Sequence, residues 1–200
     1  MTDRYHHGDL PNALRRAATE VILEKGVGGF SLREVARRAG VSHNAPAHHF
    51  GDTTGLLTSL AIEAFEHLAE NTRGAIEGID DPEMRLVALG QAYVRTGATY
   101  PAHCEIMFRD DLIDEDDPAL QRVGLDAYTV LVDAVAYLAD TDELDIDVDE
   151  ASRLCWSAMQ GLLVLHPSMT RLDHLAGREP VGRDHLVTRF TETIIAGLRR

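Results

Sequence analysis

Apolar residues recur along most of this chain at helical spacing, with polar residues between them. Between Asp9 and Lys25, the positions Leu10, Leu14, Ala17, Ala18, Val21 and Ile22 fall on one face of a helix, and Gly26 stands where a terminator belongs. The segment SLREVARRAGVSHNAPAHHF, Ser31 to Phe50, reads as two short helices joined at a glycine. Ser31 and Glu34 have the spacing of a capping box, Leu32, Val35, Ala36 and Ala39 form an inward face, and Gly40 can take the left-handed conformation that ends the first helix. Val41 can plug the turn, Ser42 is placed to cap the second helix, and Pro46 and Phe50 direct that helix's apolar side toward the first. His43, Asn44, Ala47 and His48 are left facing water. This spacing suits an ordinary helical hairpin as well as a helix-turn-helix DNA reader, in which hydrogen-bonding side chains near the start of the second helix enter the major groove.

Beyond this segment, Leu56, Leu57, Leu60, Ala64, Phe65 and Leu68 predict a long amphipathic helix from Thr53, with Asp52 as its cap. Asp81-Pro82 and Asp117-Pro118 each place an acidic cap before a proline, and predict helices over 82–99 and 118–139 with a short helix over 102–109 between them. Ala151, Leu154, Cys155, Ala158, Leu162 and Leu165 predict a helix over 149–165 that His166-Pro167 ends. The stretch 167–182, with two prolines and two glycines, reads as a loop containing about one helical turn. A last helix over 184–199 would turn Leu186, Phe190, Ile194 and Leu198 inward and leave Arg199 and Arg200 at the negative end of its dipole. No strand pattern and no internal repeat is visible. The expected fold is all-α, about nine helices, with a three-helix helix-turn-helix head over residues 1–52 and a helical-bundle domain over 53–200.

Charge changes the picture less than its total suggests. The chain carries a net −14, but residues 1–50 hold seven Lys/Arg against five Asp/Glu, and the other 150 hold twelve against twenty-eight. The acidity therefore belongs to the body, and at physiological salt its repulsion is screened beyond about 8 Å. A mildly basic head predicts modest affinity for a polyanion, steeply lost with salt. No run of eighteen apolar residues exists and the start, MTDRYHHGDLP, is polar, so neither a membrane span nor a secretion signal is expected. Cys104 and Cys155 lack metal-type spacing, and the simplest expectation is reduced thiols in the cytoplasm.

These residues resemble the TetR family of bacterial one-component transcriptional regulators. The head carries the family's helix, glycine and helix-turn-helix in order, and YHHGDL with SLREVARRAGVSHNAP is similar to one branch of it. That branch has a Trp-x-x-x-His-Gly signature in its ligand domain; WSAMQGL, Trp156 to Leu162, is similar, with Gln160 in the histidine place, and YPAHCEIMF, Tyr100 to Phe108, also resembles the branch. The resemblance implies a homodimer that binds a double-stranded DNA operator through two heads and releases it when a small molecule enters the body. Dimerisation would use the helices near 150–165 and 184–199, where Gly161 allows close approach; apolar periodicity alone does not separate such a seam from the monomer's own core. The chain departs from the family pattern at Pro46 and Ala47, where an aromatic pair is common, and at Thr53, where a lysine is common. Two backbone anchors are thereby absent or weakened, which implies weaker or more salt-sensitive binding.

The expected DNA-facing residues are Ser31, Arg33, Ser42, His43, Asn44, Ala45, Ala47, His48 and Thr53. Asn44 is the candidate base reader, since its amide can pair with adenine N6 and N7, and His43 and His48 can donate to phosphate or guanine. Ser31 and Arg33 open the supporting helix beside the phosphates. Arg37 and Arg38 are as well suited to solvent, and Arg4 can reach an adjacent groove from its arm. Tyr93, Tyr100, Met107, Phe108, Tyr128, Trp156, Met159 and Gln160 are the expected lining of a pocket for a small, mostly apolar effector, with plain core packing as the alternative. No cofactor or metal is expected. His6-His7 and His48-His49 are adjacent and cannot share a helical face, and the alternating Asp145, Asp147 and Asp149 lack the glycine and the terminal glutamate of a calcium loop, Trp156 standing in the latter's place. Two other functions remain open: a helical adaptor that has lost DNA binding, and a thiol enzyme built on Cys104 with His103 or His166.

Overall fold

The computed structural model describes residues 9–141 and 144–199, and these form nine α-helices, with no strand among them. Arg4, His6, His7 and Arg200 lie outside the described residues. Residue contacts divide the chain into two units. The first takes the chain up to Phe65 together with Tyr100–Gly124, and the second takes Glu66–Thr99 and the chain from Leu125 onward.

In the first unit α1 (Leu10–Lys25) buries Leu14, Ala17, Ala18, Val21 and Ile22, the stripe that its spacing dictates. It packs on α2 (Leu32–Arg38) and on α6 (Pro101–Ile106), and α2 packs on α3 (Ala45–Phe50). The helix α4 (Thr53–Ile76) buries Leu56, Leu57 and Leu60 in its first turns. Asp52 caps α4 by accepting from Gly55 N–H at 2.9 Å, as expected for an acidic residue at that place. The helix α6 is shorter than the expected 102–109, because the chain leaves it at Met107 in a turn whose Arg109 N–H reaches Ile106 O at 2.8 Å.

In the second unit α5 (Pro82–Thr99) packs on α8 (Val148–Leu175) and α9 (Arg183–Leu198), and α8 packs on α9. The close approach of α5 requires Gly90, where an added Cβ would lie 3.1 Å from Met159 Sδ and 3.2 Å from Val187 Cγ1. The core joins Leu86 and Leu89 of α5, Ala134, Val135 and Leu138 of α7 (Pro118–Ala139), and Ala151, Ile195 and Leu198. Asp81 and Asp117 cap their helices, accepting from Met84 N–H at 2.8 Å and from Ala119 N–H at 2.7 Å.

Two expectations fail here. Pro167 does not end α8, which continues ten residues past 165 to Leu175. Proline removes one N–H from a helix, and the turns on either side carry their own bonds, so the helix proceeds until Gly177, at φ 66°, lets Arg178 N–H close onto Asp173 O at 2.9 Å. The buried face of α9 is Val187, Thr191, Ile195 and Leu198 rather than Leu186, Phe190, Ile194 and Leu198. The helix carries two adjacent apolar stripes, and the core takes the one that Gly90 and Met159 can accommodate.

Candidate functional site

The start of α2 is built differently from the expected capping box. Ser31 has the extended backbone of a cap (φ −155°) and an exposed side chain, but that side chain makes no cap hydrogen bond. Glu34 is drawn away by cations: Arg37 donates to it twice at 2.8 Å, Lys25 lies at 3.2 Å, and Arg38 Nε donates at 3.2 Å. Bonds between charged partners outcompete a bond to a neutral backbone N–H. Hydrogen bonds from Arg37, Lys25 and Arg38 hold the Glu34 carboxyl far below the usual carboxylate range. Arg38 also pairs with Glu24 of α1. Arg37 and Arg38 are thus engaged within the head, whereas Arg33, the third arginine of α2, is exposed and has no carboxylate partner among the described residues.

The turn that follows is a Schellman closure. Gly40 sits at φ 68°, its N–H meets Arg37 O at 3.3 Å, and Val41 N–H meets Ala36 O at 3.0 Å. Ser42 does not cap α3 with its side chain; its carbonyl accepts from Ala45 N–H at 3.0 Å, and Asn44 is the residue flanking the helix, also without a side-chain cap bond. The Asn44 amide is therefore unspent on the fold and exposed. Pro46 in the first turn is buried and Phe50 half-buried, which docks α3 and leaves Ser42, His43, Asn44, Ala47, His48 and His49 exposed and Ala45 half-buried. The His48 and His49 rings meet edge-on at 5.5 Å.

The exit from α3 is equally constrained. Gly51 has φ 79°, and a Cβ on Gly55 would lie 2.0 Å from Phe50 O. Composition gave no sign of the second requirement, because Gly55 stands inside an apparently regular helix. Thr53 is exposed at the head of α4. A recess beside that helix's first turn is lined by Asp52, Thr54, Asp114 and Asp117, so negative charge borders the place where a backbone anchor is expected.

The eight expected pocket residues divide between the two units. Tyr100 meets His103 edge-on at 5.8 Å, Phe108 meets Phe65 edge-on at 5.9 Å, and Met107 is buried, all in the first unit. In the second, Trp156 Nε1 donates to Tyr93 Oη at 3.0 Å and Tyr93 Oη donates to Gln160 Oε1 at 2.7 Å. The Tyr128 ring lies 5.4 Å from that of Trp156, and its hydroxyl is buried without a hydrogen-bond partner among the described residues. Met159 belongs instead to a core cluster with Val94, Leu162 and Val187.

Sequence reasoning missed a polar cluster in the first unit. Glu63 Oε2 of α4 lies 3.6 Å from Arg15 Nε of α1 and 3.5 Å from the Nε2 of the buried His103 of α6. Helical spacing at 15 and 63 signals partly inward polar positions, but nothing in one sequence pairs them. Burial pushes the Cys104 thiol up to about 11, and Cys155 likewise, so near neutrality neither supplies the thiolate that nucleophilic catalysis uses. Among the described residues, no three His, Cys, Asp or Glu side chains converge as a metal site would require, and no helix is long and apolar enough to cross a membrane.

Comparison with known proteins covers both parts of the chain. Residues 14–60 match the family described as bacterial regulatory proteins, tetR family, and residues 86–190 match the tetracyclin repressor-like C-terminal domain. The chain is 32% identical over 80 residues to the HTH-type transcriptional regulator BetI of Yersinia pestis (strain Pestoides F), covering 39% of this chain and 40% of that protein. It is 39% identical over 82 residues to the class A tetracycline repressor protein from transposon 1721 of Escherichia coli, 41% of this chain and 36% of that one. The chain thus spans about 40% of the length of the curated relatives it matches. Over its full length it is similar to a protein of unknown function from Rhodococcus sp. RHA1, at a TM-score of 0.82 and 27% identity with 100% of both chains covered. A tetR family regulatory protein from Rhodococcus RHA1 shares the fold at a TM-score of 0.77 and 18% identity, covering 96% of this chain and 98% of that one.

Proposed function

The chain belongs to the TetR family of bacterial regulatory proteins, and from that premise we propose that it is a DNA-binding transcriptional repressor, released from its operator by a small-molecule effector. The observation that carries the reading is α3: six residues docked through Pro46 and Phe50, with His43 and Asn44 exposed just before its start and His48 exposed in its last turn. Residues 1–52 read the operator and 53–200 take effector and partner. Asn44 reads a base, Ser42, His43, Ala45, Ala47 and His48 face the groove or its walls, and Ser31, Arg33 and Thr53 meet the backbone. Ala47, Thr53 and the carboxylates of Asp52, Asp114 and Asp117 make that backbone grip weak and salt-sensitive.

The partner is a second copy of the chain, held through α8 and α9. Leu154, Val164 and Leu165 are 48%, 61% and 51% exposed, a cost in water that a paired helix removes, and nothing lies within 4 Å of a Cβ placed on Gly161. Effector binding acts on the operator only as far as the effector prefers one arrangement of the two heads over the other. A cytoplasmic regulator without catalytic activity follows from the same reading, and the raised Cys104 thiol supports it against a thiol enzyme.

Selection of bound fragments from the source genome tests the whole proposal: a short palindromic site should be enriched. Asn44→Ala should weaken binding to that site by about tenfold, within the range of one lost base contact, with an unchanged melting temperature. Recovery of no preferred fragment would favour the helical adaptor, for which Ala47 and Thr53 are the supporting residues.

A further inference from the structure

The second unit holds a run of hydrogen bonds with a fixed sense. Tryptophan can only donate, so the Tyr93 oxygen accepts from Trp156 Nε1 and spends its own proton on Gln160 Oε1. Gln160 therefore turns its carbonyl to Tyr93 and keeps its two amide protons outside this run. Beside it the Tyr128 hydroxyl is buried with no hydrogen-bond partner among the described residues, while its ring rests 5.4 Å from the Trp156 ring. A buried hydroxyl without a partner is costly, and natural structures keep few of them. These four side chains come from α5, α7 and α8, and each is half-buried.

What the set offers is three aromatic rings and donors, the Tyr128 O–H and the Gln160 N–H pair. It holds no cation and no carboxylate. We propose that the effector is an uncharged molecule with an aromatic or other apolar body and a carbonyl-type acceptor, which takes the Tyr128 proton while its body lies against Trp156. An anionic acceptor would also satisfy the hydroxyl, but the set supplies no countercharge to offset its desolvation. The inference rests on the reading of the second unit as effector-binding.

Trp156 is the sole tryptophan of the chain, so its emission reports this site alone. Three probes share one skeleton: butyrophenone carries a neutral carbonyl, butylbenzene none, and phenylbutyrate a carboxylate. Each is titrated into the full chain, and binding is followed by Trp156 emission and by the rise in melting temperature that binding to the folded state produces. Butyrophenone should bind about tenfold more tightly than either of the others, the worth of one buried hydrogen bond. Tyr128→Phe, which removes only the hydroxyl, should bring butyrophenone to the level of butylbenzene, leave butylbenzene unchanged, and leave the unliganded melting temperature equal or higher. Butyrophenone affinity unaffected by Tyr128→Phe, or tightest binding by phenylbutyrate, would overturn the proposed effector class while leaving the site in place. No response of the melting temperature or of Trp156 to any probe would overturn the effector-binding reading as well.

Discussion

A carbon placed on Gly55 would lie 2.0 Å from the Phe50 carbonyl oxygen, inside any tolerable contact and against backbone that cannot swing aside. Gly55→Ala should therefore force α3 and α4 apart and cost about 1–3 kcal/mol, the usual range for overpacking, seen as a lowered melting temperature together with loss of operator binding. An unaltered melting temperature would show that the turn gives way without strain. This single atom separates what the sequence could reveal from what it could not. The outward set of His43, Asn44, Ala47 and His48 was legible from spacing, and the structure leaves all four exposed. The need for glycine at 55 was invisible, because a close backbone approach leaves no periodic signature. The Ser31–Glu34 pair failed for another reason: its spacing permits a capping box, but Lys25 reaches Glu34 from a different helix and joins Arg37 and Arg38 in holding it.

Glu34 joins elements as well as residues, since its pair with Lys25 binds α2 to α1 and Arg38, which it also holds, reaches Glu24 of α1. Its carboxyl is held below the ordinary value of 4.5, chiefly by the Arg37 hydrogen bonds. A folded-state value below the unfolded one adds stability that is complete above the unfolded value and fades as pH falls beneath it. Glu34→Gln should therefore melt lower than the parent by a constant amount above about pH 5. The gap should narrow on acidification from there. The same substitution frees cations on the head, so the salt dependence of DNA binding should steepen by about one counterion. An identical slope in a gel-shift titration would mean that these arginines stay clear of phosphate. Helix boundaries at capped starts were readable from Asp52, Asp81 and Asp117, each of which accepts a backbone N–H of the helix it precedes. The end of α8 was not, since a proline specifies one missing bond and leaves to tertiary packing whether the helix continues. The face of α9 also escaped, because adjacent stripes of similar hydrophobicity are told apart only by the partner that covers them.

At the scale of the molecule, apolar surface is left over. Phe190 is 36% exposed on α9, beside the buried Val187, Thr191 and Ile195, and Val164 and Leu165 are exposed on α8. Phe190→Glu should sediment as a monomer and lose operator binding with little change in helix content. A dimer that persists would place the seam elsewhere. The head carries the mildly basic balance and the rest of the chain the acid, so affinity for DNA depends on a small number of placed groups rather than on bulk attraction. Those groups sit on α3, between Gly40 at φ 68° and Gly51 at φ 79°. The two hinges and the buried Pro46 set where the helix lies, while the side chains of His43, Asn44, Ala47 and His48 stay exposed. Descendants of this protein can thus exchange one operator for another by altering letters that folding does not inspect, and the vocabulary of recognition can drift while its grammar stays fixed.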